Sequence, residues 1–345
     1  MMTPPTQADH RKAALEAWLA RVLDATPTRL APASADASFR RYFRVWRDGD
    51  TWVAMDAPPD KEDLGPYLQV AGILAGAGVN VPRIVASDQA QGFLLLTDLG
   101  SRQYLDALRA GEDADALYGD AIGALVRLQA GTTAAASLPR YDAARLRQEM
   151  ELFPAWFLVR HLGLELSAAE RAMIDRSFDV LERAALAQPQ LLVHRDYHSR
   201  NLMVCADNPG ILDFQDAVVG PVTYDLVSLL KDCYISWPRE RVLGWVACYL
   251  AAAKRAGLEP RGSAEDFVRA FDLMGAQRHL KVLGIFARLW YRDGKAGYLA
   301  DLPLVLDYAR AVTRSDPLLA ELNRFLDERV VPAFAPAQAR ALASP

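Results

Sequence analysis

The stretch from Leu191 to Leu230, LLVHRDYHSRNLMVCADNPGILDFQDAVVGPVTYDLVSLL, restricts the fold more than any other part of the chain. Short apolar runs alternate in it with Asp196, Asn201 and Asp213. That pattern predicts brief buried strands at Leu191 to Val193, Leu202 to Cys205 and Gly210 to Leu212, joined by polar loops. Phosphoryl transfer needs a carboxylate near the attacking hydroxyl, with an amide and a second carboxylate to hold a divalent cation on the phosphates. Asp196 is the candidate proton acceptor, and Asn201 and Asp213 are the candidate Mg2+ ligands. Asp and Asn also favour turns for conformational reasons alone. Their joint occurrence between apolar runs is what points to chemistry.

A chain of 345 residues, 52% of them hydrophobic, can bury a sizeable core and is expected to divide into two lobes. The net charge of -4 and the lack of a Lys/Arg block argue against nucleic acid and anionic membranes as partners, and a small molecule is expected instead. No apolar run approaches the roughly 20 residues of a membrane span. The N-terminal MMTPPTQADHRK has no apolar core of a signal peptide. Cys205, Cys233 and Cys248 are widely spaced and read as reduced thiols. A cytoplasmic protein, monomeric or weakly dimeric, is the expectation.

Along the chain, residues 7 to 25 predict a helix with Leu15, Trp18, Leu19, Val22 and Leu23 on one face. Phe39 to Arg47 and Thr51 to Asp56 predict a hairpin about Asp48-Gly49-Asp50. A helix over 60 to 78 and two strands about Gln91-Gly92 complete a β-rich lobe at residues 1–97, with Thr97 to Gly100 as a hinge. Residues 98–332 read as a mainly helical lobe, and 333–345 as a disordered tail. Its helices are placed at 112–130, 142–162 with a kink at Pro154, after the capping box Ser167-Ala-Ala-Glu170, and at 223–234, 238–256, 264–292, 302–314 and 317–329. The fold class is α+β.

His194-Arg195-Asp196 followed by Asn201 matches the H-R-D-x-x-x-x-N loop of protein kinases. With Gly220-Pro221-x-x-Tyr224-Asp225-Leu226 downstream, the block resembles the aminoglycoside phosphotransferase superfamily of small-molecule kinases. The resemblance spans roughly residues 30 to 300 and implies a two-lobed, protein-kinase-like fold that uses ATP and Mg2+. It further implies a nucleotide loop over Ala35 to Val45 with Ser34 and Ser38 on the phosphates, a nucleotide-binding hinge at Thr97, Asp98 and Leu99, and structural support of the catalytic loop by Asp225 and His194. The segments SADASFRRYFRV, VAMDAPP, LFPAWF and MGAQRHLKVLGIFARL are similar to those of bacterial kinases that phosphorylate the anomeric hydroxyl of N-acetylmuramate and N-acetylglucosamine in peptidoglycan recycling. That likeness implies an amino-sugar acceptor on the helical-lobe side of Asp196.

One position departs from the kinase pattern. Where a phosphate-binding Lys would close V-A-I-K, Val53-Ala54-Met55 runs into Asp56. Arg40, Arg41, Arg44 and Lys61 are the candidate replacements, and strand alternation lets only one of Arg40 and Arg41 face a cleft. For the acceptor, Arg278, Lys281, Arg288 and Arg292 fall on one face of the 264–292 helix and form a basic stripe suited to the lactyl carboxylate. His279, Glu149 and Glu151 are candidates for sugar hydroxyls. A kinase of another acceptor, such as an aminoglycoside, choline or homoserine, and a silent nucleotide-binding pseudokinase are the alternatives.

Overall fold

The computed structural model describes residues 7–34, 39–131, 137–258 and 262–343. In chain order its first half holds α1 (Gln7–Val22), β1 (Arg29–Ser34), β2 (Arg41–Arg47), β3 (Asp50–Asp56), α2 (Gly65–Gly76), β4 (Ile84–Asp88), β5 (Phe93–Thr97), α3 (Tyr104–Arg109), α4 (Ala114–Ala130) and α5 (Ala143–Met150). A π-helical segment, Phe153–His161, and α6 (Ala168–Leu186) follow. Then come β6 (Gln190–Val193), β7 (Leu202–Met203), β8 (Gly210–Ile211), β9 (Val218–Pro221), α7 (Tyr224–Leu230), α8 (Arg239–Arg255) and α9 (Ala264–Asp293). The last helices are α10 (Leu302–Ser315), α11 (Ala320–Phe325) and α12 (Val331–Ala343).

Two compact units emerge, Met1–Gln103 with Leu202–Asp216, and Tyr104–Asn201 with Ala217–Pro345. The first is built on a five-stranded antiparallel sheet in the order β1-β2-β3-β5-β4. Its central hairpin closes through Asp48 and Gly49, at φ 50° and 93°, between the paired residues Arg47 and Asp50. Left-handed backbone at both positions matches the twist of the flanking strands. Leu15, Trp18 and Leu19 of α1 bury against Phe43, Val45, Ala54, Phe93 and Leu95, so the apolar stripe read from the sequence is the face that packs, while Val22 is exposed.

The boundary expected after residue 97 differs, because the β7–β8 hairpin returns to the sheet unit. Asn80 pairs with Gly210, its amide donates to the Asp207 carbonyl at 2.6 Å, and Val204 N–H donates to the Arg102 carbonyl at 2.8 Å. Such backbone pairing is invisible to a local reading, since it joins segments more than a hundred residues apart.

The second unit is mainly helical and packs around α9, which is buried on nearly all sides from Leu273 to Ala287. Ser263 and Asp266 form a capping box at its start, and Gly294 at φ 67° ends it. The box at Ser167 and Glu170 also forms, at the head of α6. Helix α3 and strands β1 and β9 carry too few periodic residues to be read locally, and β9 exists because it pairs with β6 from Gln190↔Pro221 to Val193↔Val218.

Two expectations for this unit are corrected. Pro154 does not kink one long helix; α5 ends at Met150 and a π-helical segment starts afresh with the proline in its first turn, where its missing N–H costs nothing. The C-terminal residues are not a disordered tail through 343. They form α12, whose Ala337 and Ala341 are buried and whose Phe334 packs on Phe157 at 6.0 Å between ring centroids. Alanines at helical spacing bury well against a close neighbour, although their composition resembles a linker.

Candidate active site

In the helical unit the loop from His194 to Asn201 follows β6 and is fixed by two carboxylates placed around α7. Asp225 accepts the backbone N–H groups of His194 at 2.6 Å and Arg195 at 2.9 Å. Asp232 accepts the N–H of Ser199 at 3.0 Å and also its hydroxyl. Tyr197 is buried and donates to the Ala121 carbonyl at 2.8 Å. Arg195 sits at φ 78°, a left-handed conformation that costs a non-glycine residue energy and that the two bonds to Asp225 hold in place. Asn201 donates its Nδ2 to the Asp196 carbonyl at 3.0 Å, so the amide oxygen is the atom that can ligate a cation.

Beneath the loop lies a ring of buried charge. Glu149 of α5 bonds Arg195, the hydroxyl of Tyr141 and, at 2.9 Å, the ammonium of Lys281 from α9. Lys281 also donates to the Tyr224 hydroxyl at 3.0 Å. Burial would raise the Asp196 carboxyl, but the positive field of Lys281, followed by His198, Arg278 and Arg195, holds it below the ordinary carboxylate range. Burial, together with the negative charge of Asp196, pushes Asp225 up to about 7, against its two backbone bonds. The loop therefore carries an ionised, oriented Asp196.

In the sheet unit Arg40 pairs with Glu62 at 3.2 Å, just ahead of α2. Tyr67 of α2 packs on Phe214 in a tilted pair, 4.8 Å between ring centroids, and lies in the fields of both Arg40 and Asp213. Asp213, at φ 62°, accepts from the Gln215 side chain at 2.6 Å. Arg40, Glu62 and Asp213 thus gather about one tyrosine. Arg41 is committed elsewhere: with Arg11 it neutralises the fully buried Asp56, the residue that replaces the strand lysine. Arg44 pairs with Asp98 at 2.7 Å and reaches the Gly100 carbonyl at 2.6 Å, tying β2 to the expected hinge. Thr97 receives the Arg83 N–H at 2.9 Å, and Leu99 packs close to Gly210. Ser34 ends β1, and Ser38 lies outside the described residues.

Comparison with known proteins bears on what these two constellations serve. Residues 29–271 match the phosphotransferase enzyme family. The chain belongs to this family. It is 54% identical over 301 residues, 87% of this chain and 88% of the relative, to an N-acetylmuramate/N-acetylglucosamine kinase of Pseudomonas aeruginosa. A protein of the same name from Neisseria meningitidis serogroup B is 46% identical over 324 residues, 93% of this chain and 96% of the relative. Among solved structures, the GDP complex of aminoglycoside 2'-phosphotransferase-IIIa aligns with a TM-score of 0.60 at 17% identity, covering 88% of this chain and 99% of that one. That likeness is one of fold and supports the protein-kinase-like architecture expected from the sequence. The chain is a phosphotransferase acting on an alcohol group.

For this phosphotransferase the acceptor-site expectations need revision. The stripe on α9 is not a surface of four equivalent cations: Arg278 and Lys281 are buried beneath the loop, Arg288 is half-buried beside Arg292, and Arg292 is exposed and bonded to Asp293. His279 belongs to the core. It is fully buried, stacks on Tyr308 at 4.7 Å, approaches the Lys231 carbonyl at 3.0 Å, and burial lowers it to about 3. Glu149 is taken up by Tyr141, Arg195 and Lys281, and Glu151 by Arg171. Asp232, Glu62 and Tyr67 were not expected in these roles. Asp232 had a readable signal, since it follows Asp225 by seven residues, two helical turns.

Proposed function

We propose that this phosphotransferase moves the γ-phosphoryl group of ATP to the anomeric C1 hydroxyl of N-acetylmuramate and N-acetylglucosamine, giving the α-1-phosphates for cell-wall recycling. The relatives at 46% and 54% identity, both named N-acetylmuramate/N-acetylglucosamine kinase, support the acceptor class. The observation that carries the mechanism is the loop of Asp196, braced by Asp225 and Asp232, with Lys281 favouring the charged form of its carboxylate. Asp196 accepts the proton of the C1 hydroxyl as the sugar oxygen attacks phosphorus. Arg195 and Lys281 keep that carboxylate charged until the proton arrives.

Asn201 and Asp213 would hold Mg2+ through an amide oxygen and a carboxylate, hard oxygen donors of the kind this ion prefers. When bound, Mg2+ offsets charge on the phosphates. Arg40, paired with Glu62, supplies the cation that a strand lysine paired with a helix glutamate supplies in protein kinases. The nucleotide base falls to the Thr97 to Leu99 segment.

The test is turnover of ATP with each free sugar, with NMR of the product to place the phosphate on C1. Asp196→Asn is expected to abolish turnover while nucleotide affinity stays within about twofold, because the amide keeps the shape and loses the base. Activity close to wild type in that variant, or phosphate on another carbon, would overturn the proposal.

A further inference from the structure

Arg200 lies in the catalytic loop between Asp196 and Asn201 and is half-buried. Its guanidinium carbon stands 3.6 Å from the centre of the Tyr234 ring and 5.9 Å from that of Tyr298. At 3.6 Å the cation is in van der Waals contact with the ring, which restrains the side chain without consuming its N–H donors. Among the described residues no hydrogen bond or ion pair engages those donors. The acids nearby are otherwise occupied. Asp232 serves Ser199 and the backbone N–H of Tyr234. Asp301 feels Arg200 and Arg109, yet burial raises its carboxyl and weakens it as a counter-charge.

This arrangement contrasts with two of the cations expected to read the acceptor, while Arg288, half-buried with its Nε unpartnered among the described residues, is the rival. Lys281 is held by Glu149 and Tyr224, and Arg278 is buried against Cys233. Arg200 is instead a planar fork, pre-ordered by aromatic faces, with five N–H donors and no acceptor. Its loop is the one that carries Asp196, and His198 between them feels the charges of both. N-acetylmuramate presenting C1 to Asp196 carries its lactyl ether on C3, with only C2 between them, so its carboxylate is within reach of the loop that holds Arg200.

We infer that Arg200, stacked on Tyr234 with Tyr298 nearby, binds the lactyl carboxylate of N-acetylmuramate and is the residue that separates acidic from neutral amino sugars. The inference rests on the proposed acceptor class and adds to it the determinant of choice between the two sugars. A bidentate arginine–carboxylate contact is charge-assisted, and its loss falls on the sugar that bears the carboxylate alone.

Steady-state KM and kcat of the full chain with each sugar and with ATP test this. Arg200→Met is expected to raise KM for N-acetylmuramate by about 10- to 100-fold, with KM for N-acetylglucosamine and for ATP within about twofold. Arg200→Lys keeps the charge, loses the fork and the stack, and recovers part of the loss. Arg288→Met serves as the comparison and leaves the ratio of the two sugars unchanged. An unchanged ratio in both Arg200 variants, an equal loss for both sugars, a rise in KM for ATP, or a ratio moved by Arg288→Met alone would each overturn the inference while leaving the proposed function standing. Wild-type turnover of neither sugar would overturn both.

Discussion

Asp196 has to remain ionised although it is half-buried among packed side chains, and the means is a cation delivered from another helix. Lys281 reaches beneath the loop from α9, and its own ammonium stays charged because Tyr224 and Glu149 offset the cost of burying it. Removing that charge leaves burial, which favours the protonated form, opposed only by the weaker fields of the remaining cations such as Arg278 and Arg195. Lys281→Met is therefore expected to move the acid limb of the kcat/KM profile to higher pH, because a base with a raised pKa is protonated sooner as pH falls. A pH profile whose acid limb does not move would show that the charge on Asp196 is maintained by other groups. The candidate base, its Asn partner and Asp213 were legible in sequence because their spacing lies within one short segment. Lys281 was legible as a cation but not in its role, since a helical stripe does not reveal which of its members faces inward.

On the scale of elements, α9 and the segment entering the π-helix approach so closely that the contact depends on a glycine. A Cβ at Gly284 would fall 2.2 Å from the backbone carbon of Leu152 and 2.4 Å from its oxygen. Glycine to alanine inside a helix ordinarily stabilises by about 1 kcal/mol. Here the backbone itself must shift, and overpacking of that kind costs about 1–3 kcal/mol. Gly284→Ala is thus expected to lower Tm, and thermal unfolding followed by circular dichroism checks it; a higher Tm would show that Leu152 yields freely. The helix was readable over 264–292 because its cations recur at helical spacing. The close approach was not, as one Gly among 21 carries no local mark of what faces it.

For the whole molecule, two histidines buried neutral make stability depend on pH. Burial lowers His279 to about 3 and His161 to about 4, from 6.5 for an ordinary histidine. Between those values the unfolded chain binds protons that the folded chain excludes, so their contribution is complete above about pH 6.5 and is lost as pH falls toward 4 and 3. Asp225, raised to about 7, takes up a proton on folding over the same range and works against this loss. The expected outcome is therefore a difference, with Tm of His279→Gln falling less, or rising more, than that of the wild type from pH 7 to pH 5; an equal slope in the variant would remove His279 as a source. The sequence by itself determined the chemistry and the class of fold, because the Asp–Asn–Asp spacing, the hairpin turn and the helix caps are each written in residues close together. Tertiary structure decided the rest: that Arg41 answers Asp56 while Arg40 answers Glu62, that residues 202–216 belong with the sheet, and that the alanine-rich C-terminus is a packed helix. These outcomes depend on which charge or apolar face meets which across long stretches of chain, and burial, which sets the strength of each, exists only once the chain has folded.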